Sequence, residues 1–260
     1  MIINITNNIV LLLAIFLLPF KISAQEKRPV KMESAMTEIW EPAIEVVTPG
    51  QANPDGTVSA PSDAIVLFDG TDLSAWTNKD GAAAEWIVHD GVFTVNKGTG
   101  DILTKQSFED FQLHIEWQVP QGISGESQYR GNSGIFLQNK YEIQLLDSYK
   151  NTTYINGQAG SIYKQAPPLK NAMAPPGQWN TYDIIYTAPR FKENGSLFSP
   201  AKVTVIHNGV VIQNNTQITG HTPNVGLPKY RAHGPGPIKL QDHGDPSAPL
   251  SFRNIWIREM

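Results

Sequence analysis

The segment 141–147 (YEIQLLD) carries residue types suited to chemistry on a polar substrate. In a regular β-strand, Glu142 and Gln144 share one face and Asp147 falls on the opposite face. A single bulge at residues 145–146 would turn Asp147 onto the face of the other two, and bulges of this kind are frequent beside active sites. The sequence therefore predicts a row of two carboxyl groups and one amide that can exchange protons and bind hydroxyls. A solvated outer strand face is the alternative interpretation.

A second group of ionisable residues follows the predicted strand 238–241 and comprises Asp242, His243 and Asp245. Imidazole is the side chain that most readily exchanges a proton near neutral pH, so we assign His243 to proton transfer. A histidine hydrogen-bonded to the backbone of a turn is the alternative. The single-residue spacing of the three matches no established metal motif, so we expect no cofactor, with a divalent cation on these residues as the alternative.

Further polar residues are expected to contact the substrate. A glycine-containing loop presents Arg130 and Asn132, whose forked donors suit sugar hydroxyls or a developing oxyanion. The segment 111–119 alternates between apolar and polar residues without interruption, and its polar face carries His114 and Glu116. We assign these four residues to substrate binding. A plain turn and an exposed strand face are the alternatives.

Strand patterns dominate the chain from residue 65 onward. More than ten short apolar or alternating segments occur there, and no sustained helical periodicity separates them. Two dipeptides, Asp90-Gly91 and Asn208-Gly209, lie between apolar runs, as two-residue hairpin turns require. The pattern predicts an all-β fold, a two-sheet antiparallel sandwich.

Composition excludes several classes of function. The 260 residues contain no cysteine, which excludes disulfides, cysteine-bound metal centres and a thiol nucleophile. The formal net charge of -4 argues against nucleic acid as a partner. The sequence also lacks the Gly-x-Ser-x-Gly, His-Glu-x-x-His, phosphate-loop and dinucleotide-binding motifs.

The N-terminal residues predict export. The apolar run 9–20 is shorter than the ~20 residues that span a bilayer, and the small residue Ala24 precedes a polar stretch. We expect a signal peptide over residues 1–24, an N-terminal strap or linker over 25–62 and the β-sandwich domain over 63–260. The mature protein is then periplasmic or secreted, from a bacterium, without a membrane anchor. An uncleaved anchor is the alternative.

Six motifs occur in order along the chain: IVLFDG (65–70), GNSGIF (131–136), YEIQ (141–144) with Asp147, PGQWN (176–180), LQDHG (240–244) and FRNI (252–255). Together they resemble the 3-keto-disaccharide hydrolase domain family, formerly a domain of unknown function, over residues 63–258. The resemblance implies a jelly roll of the concanavalin A-like lectin/glucanase type. It also implies an exported enzyme acting on oxidised sugars.

The resemblance suggests a reaction. β-Glucanases of this architecture carry the motif Glu-x-Asp-x-x-Glu. The corresponding run here is Glu142-x-Gln144-x-x-Asp147, in which two of the three acidic positions are changed. Double displacement, which needs two suitably placed carboxyl groups, is therefore not expected. The carbonyl of a 3-keto sugar acidifies the C2 hydrogen, so elimination followed by hydration needs one base, one acid and donors near the C3 oxygen. We assign Glu142 and His243 as base and acid in either order, with Asp147 orienting His243 or binding a hydroxyl. The hydroxyls or the enolate oxygen would be held by Arg130, Asn132, Gln144 and Gln241.

The expected partner is an oxidised monosaccharide, disaccharide or glycoside, while the linkage and the oligomeric state stay open. Two other functions fit the same fold. A non-catalytic carbohydrate-binding module would stack sugar rings on exposed aromatic residues, for which the candidates are Trp76, Tyr129, Tyr149 and Tyr163. A conventional endo-glycosidase would cleave an unoxidised glycan.

Overall fold

The computed structural model describes residues 33–260, and the predicted signal peptide lies outside them. The chain divides into two compact units, residues 1–45 and 46–260. The described part of the first unit contains one turn of 3-10 helix, Ser34–Thr37. No helix within residues 33–260 has the length and apolar character needed to cross a membrane.

Antiparallel strands form most of the regular structure of the second unit. In chain order, β1 to β15 are Ile65–Phe68, Trp76–Asn78, Ile87–His89, Val92–Thr94, Ile102–Thr104, Phe111–Gln118, Ser133–Leu137, Tyr141–Leu145, Trp179–Thr187, Arg190–Phe191, Leu197–Ser199, Lys202–His207, Val210–Gln217, Lys239–Leu240 and Ser251–Glu259. Single 3-10 turns occur at Ser127–Tyr129 and Ile155–Gly157.

The strands form two main sheets. The first has the order β13-β12-β9-β6-β15-β4-β3, with β1 also pairing with β15. The second has the order β2-β5-β14-β7-β8, and β10 and β11 form a separate hairpin. This arrangement is the two-sheet antiparallel sandwich expected from the sequence.

The core lies between the two sheets and follows from the alternation of apolar residues. Leu113 and Ile115 on β6, and Tyr141 and Ile143 on β8, are fully buried. Burial of each such side chain contributes about 1.5–3 kcal/mol to the free energy of folding. Because successive side chains of a strand point to opposite faces, the polar residues of β8 point away from the core, onto the outer face of the second sheet.

Both predicted hairpin turns are confirmed. Asp90-Gly91 joins β3 to β4, and Asn208-Gly209 joins β12 to β13. All four residues have positive φ values between 49° and 79°. This is the conformation that a two-residue type I′ turn requires.

Residues 46–62 belong to the same compact unit as the sandwich. They lie against the outer face of the first sheet: the Asn254 side chain on β15 donates a 2.9 Å hydrogen bond to the Val58 carbonyl. Part of the first sheet that would otherwise face solvent is therefore covered.

Candidate functional site

A groove of about 260 Å³ opens on the outer face of the second sheet. We call it the Glu142 groove. Strands β7 and β8 form its floor, and segments 222–224 and 241–243 form its sides. It is lined by Asn132, Phe136, Glu142, Gln144, Tyr163, Thr222, Pro223, Asn224, Gln241 and His243.

Four of the predicted site residues besides Glu142 line this groove. They are His243, Gln144, Asn132 and Gln241. Glu142 and Gln144 reach it because they alternate with the core residues of β8. Asn132 comes just before β7, and Gln241 and His243 come just after β14. The pairing of β14 with β7 brings these distant segments together.

Gly134 makes room for the Glu142 side chain. It lies on β7 opposite Gln144. A Cβ at position 134 would lie 2.7 Å from Glu142 Oε1 and 3.0 Å from Glu142 Cγ. A residue larger than glycine would therefore displace the carboxyl group of Glu142.

The environment of the Glu142 carboxyl group favours its protonated form. The residue is only 5% exposed. Burial raises the pKa of Glu142 to about 8, although the charges of Lys239 and Lys164 act in the opposite direction. A buried carboxylic acid near the substrate can donate a proton to a departing oxygen.

The Gln144 amide couples Glu142 to two further amides. One of the two terminal atoms of the Gln144 side chain, oxygen or nitrogen according to the amide orientation, lies 3.1 Å from Glu142 Oε1. The other end lies 3.1 Å from Gln128 Oε1 and 3.2 Å from Asn132 Oδ1. With Glu142 protonated, the carboxyl group donates to the Gln144 oxygen, and the Gln144 amino group donates onward. With Glu142 ionised, the opposite amide orientation donates to the carboxylate.

His243 is paired with Asp245. Its Nδ1 lies 3.6 Å from Asp245 Oδ2, and the Asp245 side chain is buried. Burial opposes ionisation of Asp245, but hydrogen bonds from His243 and Ser247 outweigh it and hold its pKa below the usual value. The ionised carboxylate beside Nδ1 orients the imidazole ring.

Gln241 offers a free acceptor to the groove. Its Oε1 is buried and has no hydrogen-bond partner within residues 33–260. Its backbone amide donates to the Gly134 carbonyl at 3.1 Å, which fixes the residue beside β7. A buried acceptor without a hydrogen-bond partner destabilises the folded protein. A hydrogen bond from a substrate hydroxyl would remove this cost.

The structure corrects the expected position of Asp147. The β7–β8 pairing runs in register from Tyr141 to Leu145 without a bulge, and β8 ends there. Asp147 lies beyond the strand end, fully buried, with Arg130 Nε 2.8 Å from its Oδ2. Burial raises the pKa of Asp147, against the lowering effect of the Tyr149 amide and of Arg130. Asp147 therefore orients Arg130, and Asp245 occupies the position beside His243 that we expected for Asp147.

Arg130 also lies outside the Glu142 groove. Its guanidinium group donates to the Tyr149 carbonyl at 2.6 Å and pairs with Asp147. These contacts fasten the loop before β7 to the segment after β8. The forked donors that suggested substrate binding are therefore used within the protein.

His114 and Glu116 lie on the opposite side of the sandwich from the groove. Both are on β6 in the first sheet, facing away from the core. His114 Nδ1 lies 2.7 Å from Asp183 Oδ1, and Glu116 Oε2 lies 2.7 Å from Arg253 Nε. Burial lowers the pKa of His114, but hydrogen bonds to Asp183 and Glu116 raise it to about 9 overall. The structure thus separates these two residues from Glu142, because adjacent sheets of a sandwich expose opposite faces.

The alternative cation site does not form a cage. Asp242 Oδ2 accepts hydrogen bonds from the amides of Gly98 and Gly100, at 2.7 and 3.1 Å. Asp245 Oδ1 accepts from the amide of Ser247 at 2.9 Å. Within residues 33–260, no group of three or more histidine and acidic side chains is placed to hold a metal ion.

The aromatic residues of the groove agree only in part with those expected to bind sugar rings. Tyr163 lines the groove, while Trp76 is buried in the core. Phe136 also lines the groove, and the Lys239 ammonium group lies 3.8 Å from its ring centroid. We did not predict Phe136, because its position in an apolar run resembled that of a core residue. Residues 222–224 were missed as well, since only the fold places this loop beside β8.

Comparisons with known proteins agree with this fold. A sequence model of the 3-keto-alpha-glucoside-1,2-lyase-like domain matches residues 63–258. A Bacteroides thetaiotaomicron protein named 3-keto-disaccharide hydrolase is 27% identical over 157 residues. That alignment covers 46% of this chain and 51% of the relative, so the chain spans about half the length of that protein.

Two crystal structures of Parabacteroides distasonis proteins, both described as candidate glycosyl hydrolases, resemble the chain. The first is 65% identical with a TM-score of 0.86, and the match covers 89% of this chain and 98% of that one. The second is 22% identical with a TM-score of 0.55, covers 76% and 94% respectively, and supports the fold alone. Since the family model matches most of the chain, the protein belongs to the family of 3-keto-alpha-glucoside-1,2-lyase-like domains.

Proposed function

We propose that the protein is a carbohydrate-active enzyme that cleaves the glycosidic bond of 3-keto-glycosides or 3-keto-disaccharides in the Glu142 groove. Membership of the family supports a sugar substrate, and the B. thetaiotaomicron relative carries a name for this activity. The proposal includes export of the chain, with a signal peptide over residues 1–24, a strap over 25–62 and the catalytic domain over 63–260. It requires no cofactor.

The observation that carries the proposal is the pairing of one buried carboxylic acid with one histidine. Among the residues that line the groove, Glu142 is the single acid and His243 the single imidazole. A retaining glycosidase needs two carboxyl groups about 5–5.5 Å apart, and an inverting one also needs two. Elimination from a 3-keto sugar needs one base and one acid. The groove therefore fits elimination better than displacement.

The raised pKa of Glu142 supports its assignment as the acid, which leaves His243 as the base. His243, oriented by Asp245, takes the proton from C2, and the C2–H electrons form the enolate of the C3 ketone. The enolate then re-forms the ketone as a C1–C2 double bond develops and the C1–O bond breaks. Glu142, whose pKa burial raises to about 8, donates its proton to the departing oxygen.

Hydration completes the reaction. Water adds its oxygen to C1 of the enone and returns a proton to Glu142, and His243 returns a proton to C2. The sum is a 3-keto sugar and an alcohol from one glycoside and one water. The developing charge on the C3 oxygen needs hydrogen-bond donors. The side-chain amide of Gln241 is the candidate that lines the groove, because the amino groups of Asn132 and Gln144 donate to other residues of the protein.

A direct test incubates the purified protein with a glucoside and with its 3-keto derivative. The proposal predicts release of the aglycone from the oxidised substrate only. Turnover of the unoxidised glycoside would identify a conventional glycosidase. Binding without turnover of either compound would identify a carbohydrate-binding module.

A further inference from the structure

A second cleft adjoins the Glu142 groove. It has a volume of about 440 Å³ and shares Thr222 and Pro223 with the groove. Its other walls include Val225, Leu227, Lys229 and Arg231. A substrate bound with its reacting sugar over Glu142 can extend across Pro223 into this cleft, which we call the Leu227 cleft.

The loop that separates the two cavities is fixed at its base. The His221 amide donates to the Lys229 carbonyl at 3.1 Å, and this contact closes the loop. The Thr222 hydroxyl accepts a 3.0 Å hydrogen bond from the Glu142 amide. Lys164 Nζ reaches the Asn224 carbonyl at 3.3 Å. The walls of the Leu227 cleft are thus tied to the strand that carries Glu142.

The tip of this loop exposes two large apolar side chains. Val225 is 88% exposed and Leu227 is 82% exposed. Neither side chain contributes to the core. Covering them with an apolar group would be favourable, because it would remove apolar surface from water. A flat apolar ring lying in the cleft would cover them.

Lys229 and Arg231 give the cleft a positive charge. Neither forms an ion pair with an acidic residue within residues 33–260, although the chain as a whole has a formal net charge of -4. His221 also lines the cleft. Its pKa is lowered to about 4, mainly by burial and further by His233, Lys140 and Arg231. The buried Nε2 of the neutral His221 has no hydrogen-bond partner in the same part of the chain. The cleft therefore offers two cations without an acidic partner to a ligand.

We propose that the Leu227 cleft binds the leaving group of the substrate and favours an aglycone that combines an apolar ring with a carboxylate. Val225 and Leu227 contact the ring, and Lys229 and Arg231 attract the carboxylate. The inference rests on the proposed function, because a leaving group is defined by the cleavage at Glu142.

The test compares two 3-keto-glucosides that differ in one group. Their aglycones are 4-hydroxybenzoate, which is anionic, and 4-hydroxybenzamide, which is neutral and of nearly the same size. The wild-type protein should show a higher kcat/KM for the benzoate. The double variant Lys229→Gln/Arg231→Gln should reduce this preference about fivefold, as two partly exposed charge interactions would. The loss should appear mainly in KM.

A matched control removes two charges elsewhere. Lys105 and Lys202 are exposed and line neither cavity, so Lys105→Gln/Lys202→Gln should keep the preference. A preference that is unchanged in the Lys229/Arg231 double variant, with the benzamide still cleaved, would overturn the inference and leave the proposed function intact. Cleavage of neither 3-keto-glucoside by the wild-type protein would overturn both.

Substitution of Leu227 by Ser should raise KM for both aromatic substrates but not for methyl 3-keto-glucoside.

Discussion

Gly134 and Glu142 are in direct contact across neighbouring strands, and a Cβ at position 134 would lie 2.7 Å from Glu142 Oε1. The acid thus occupies space that only glycine leaves open. The position of the proposed proton donor is therefore determined by a residue that has no side chain of its own.

Substitution of Gly134 by Ala should displace the Glu142 carboxyl group and lower kcat by about 10²-fold, since small misplacements of a catalytic group have effects of this size. The measurement is the steady-state rate on a 3-keto-glucoside, with circular dichroism to verify the fold. Gly234→Ala is the matched control, because a Cβ at position 234 would have no atom within 4 Å. Equal rates for the two variants would show that the contact has no catalytic role.

Replacement of the acid itself should have a similar effect on the rate. Glu142→Gln removes the transferable proton while keeping the shape of the side chain, and should lower kcat by about 10²-fold or more. In the wild-type protein, kcat should fall as the pH rises through about 8, because the group then loses its proton. A rate that stays level above pH 8 would contradict the assignment of Glu142 as the acid.

The same substitution should stabilise the protein at high pH. The pKa of Glu142 is about 8 in the folded state, above its ordinary value of 4.5, so the folded state holds this proton more tightly than the unfolded state. Its contribution to stability is therefore present below pH 4.5 and is lost as the pH rises to about 8. Relative to the wild type, the free energy of unfolding of Glu142→Gln should increase over this range by up to about 1.4 kcal/mol per pH unit. Chemical denaturation at pH 4, 6 and 9 measures the difference, and a constant difference would show that Glu142 is not perturbed.

Two aspartates should differ in their effects. Asp245→Asn removes the charge beside His243 and should lower kcat more than it changes KM. Asp147→Asn leaves the partly buried Arg130 without its carboxylate partner and should lower the free energy of unfolding by about 1–3 kcal/mol, with kcat retained in the folded fraction. Kinetics and denaturation of both variants decide between the two roles. A catalytic defect confined to Asp147→Asn would restore our original assignment.

The side of the sandwich opposite the groove should affect stability alone. The pKa of His114 is raised to about 9, so its interactions with Asp183 and Glu116 stabilise the fold below pH 6.5 and lose this effect as the pH rises through 9. His114→Gln should therefore destabilise the protein at pH 6, less so at pH 9, with kcat unchanged at both values. A large loss of kcat would place His114 in the reaction.

Local sequence patterns predicted the scaffold well. The alternation along β6 identified both faces of the first sheet, and Asp90-Gly91 and Asn208-Gly209 marked hairpins, because these signals depend on residues adjacent in sequence. The positions of Glu142 and Gln144 on one strand face followed from the same rule. His243 was identified by its chemistry, and its place in the groove follows from the pairing of β14 with β7.

Other features depended on contacts between distant segments. The register of β8 is set by its pairing with β7, which excludes the bulge that would have turned Asp147. His114 lines a cavity together with residues of the segment 46–62, more than fifty residues earlier in the chain. The loop with Thr222 meets Glu142 across 80 residues of sequence, so no local pattern could reveal it.

In the proposed reaction, the Glu142 groove cleaves 3-keto-glycosides by removing and replacing the C2 proton. The most direct measurement runs the reaction in D₂O and determines the deuterium content at C2 of the released 3-keto sugar. We expect deuterium at C2 above the level of an enzyme-free control, and neither cleavage nor enrichment with His243→Ala. Efficient cleavage by the wild-type protein with C2 no more deuterated than in the control would contradict the account.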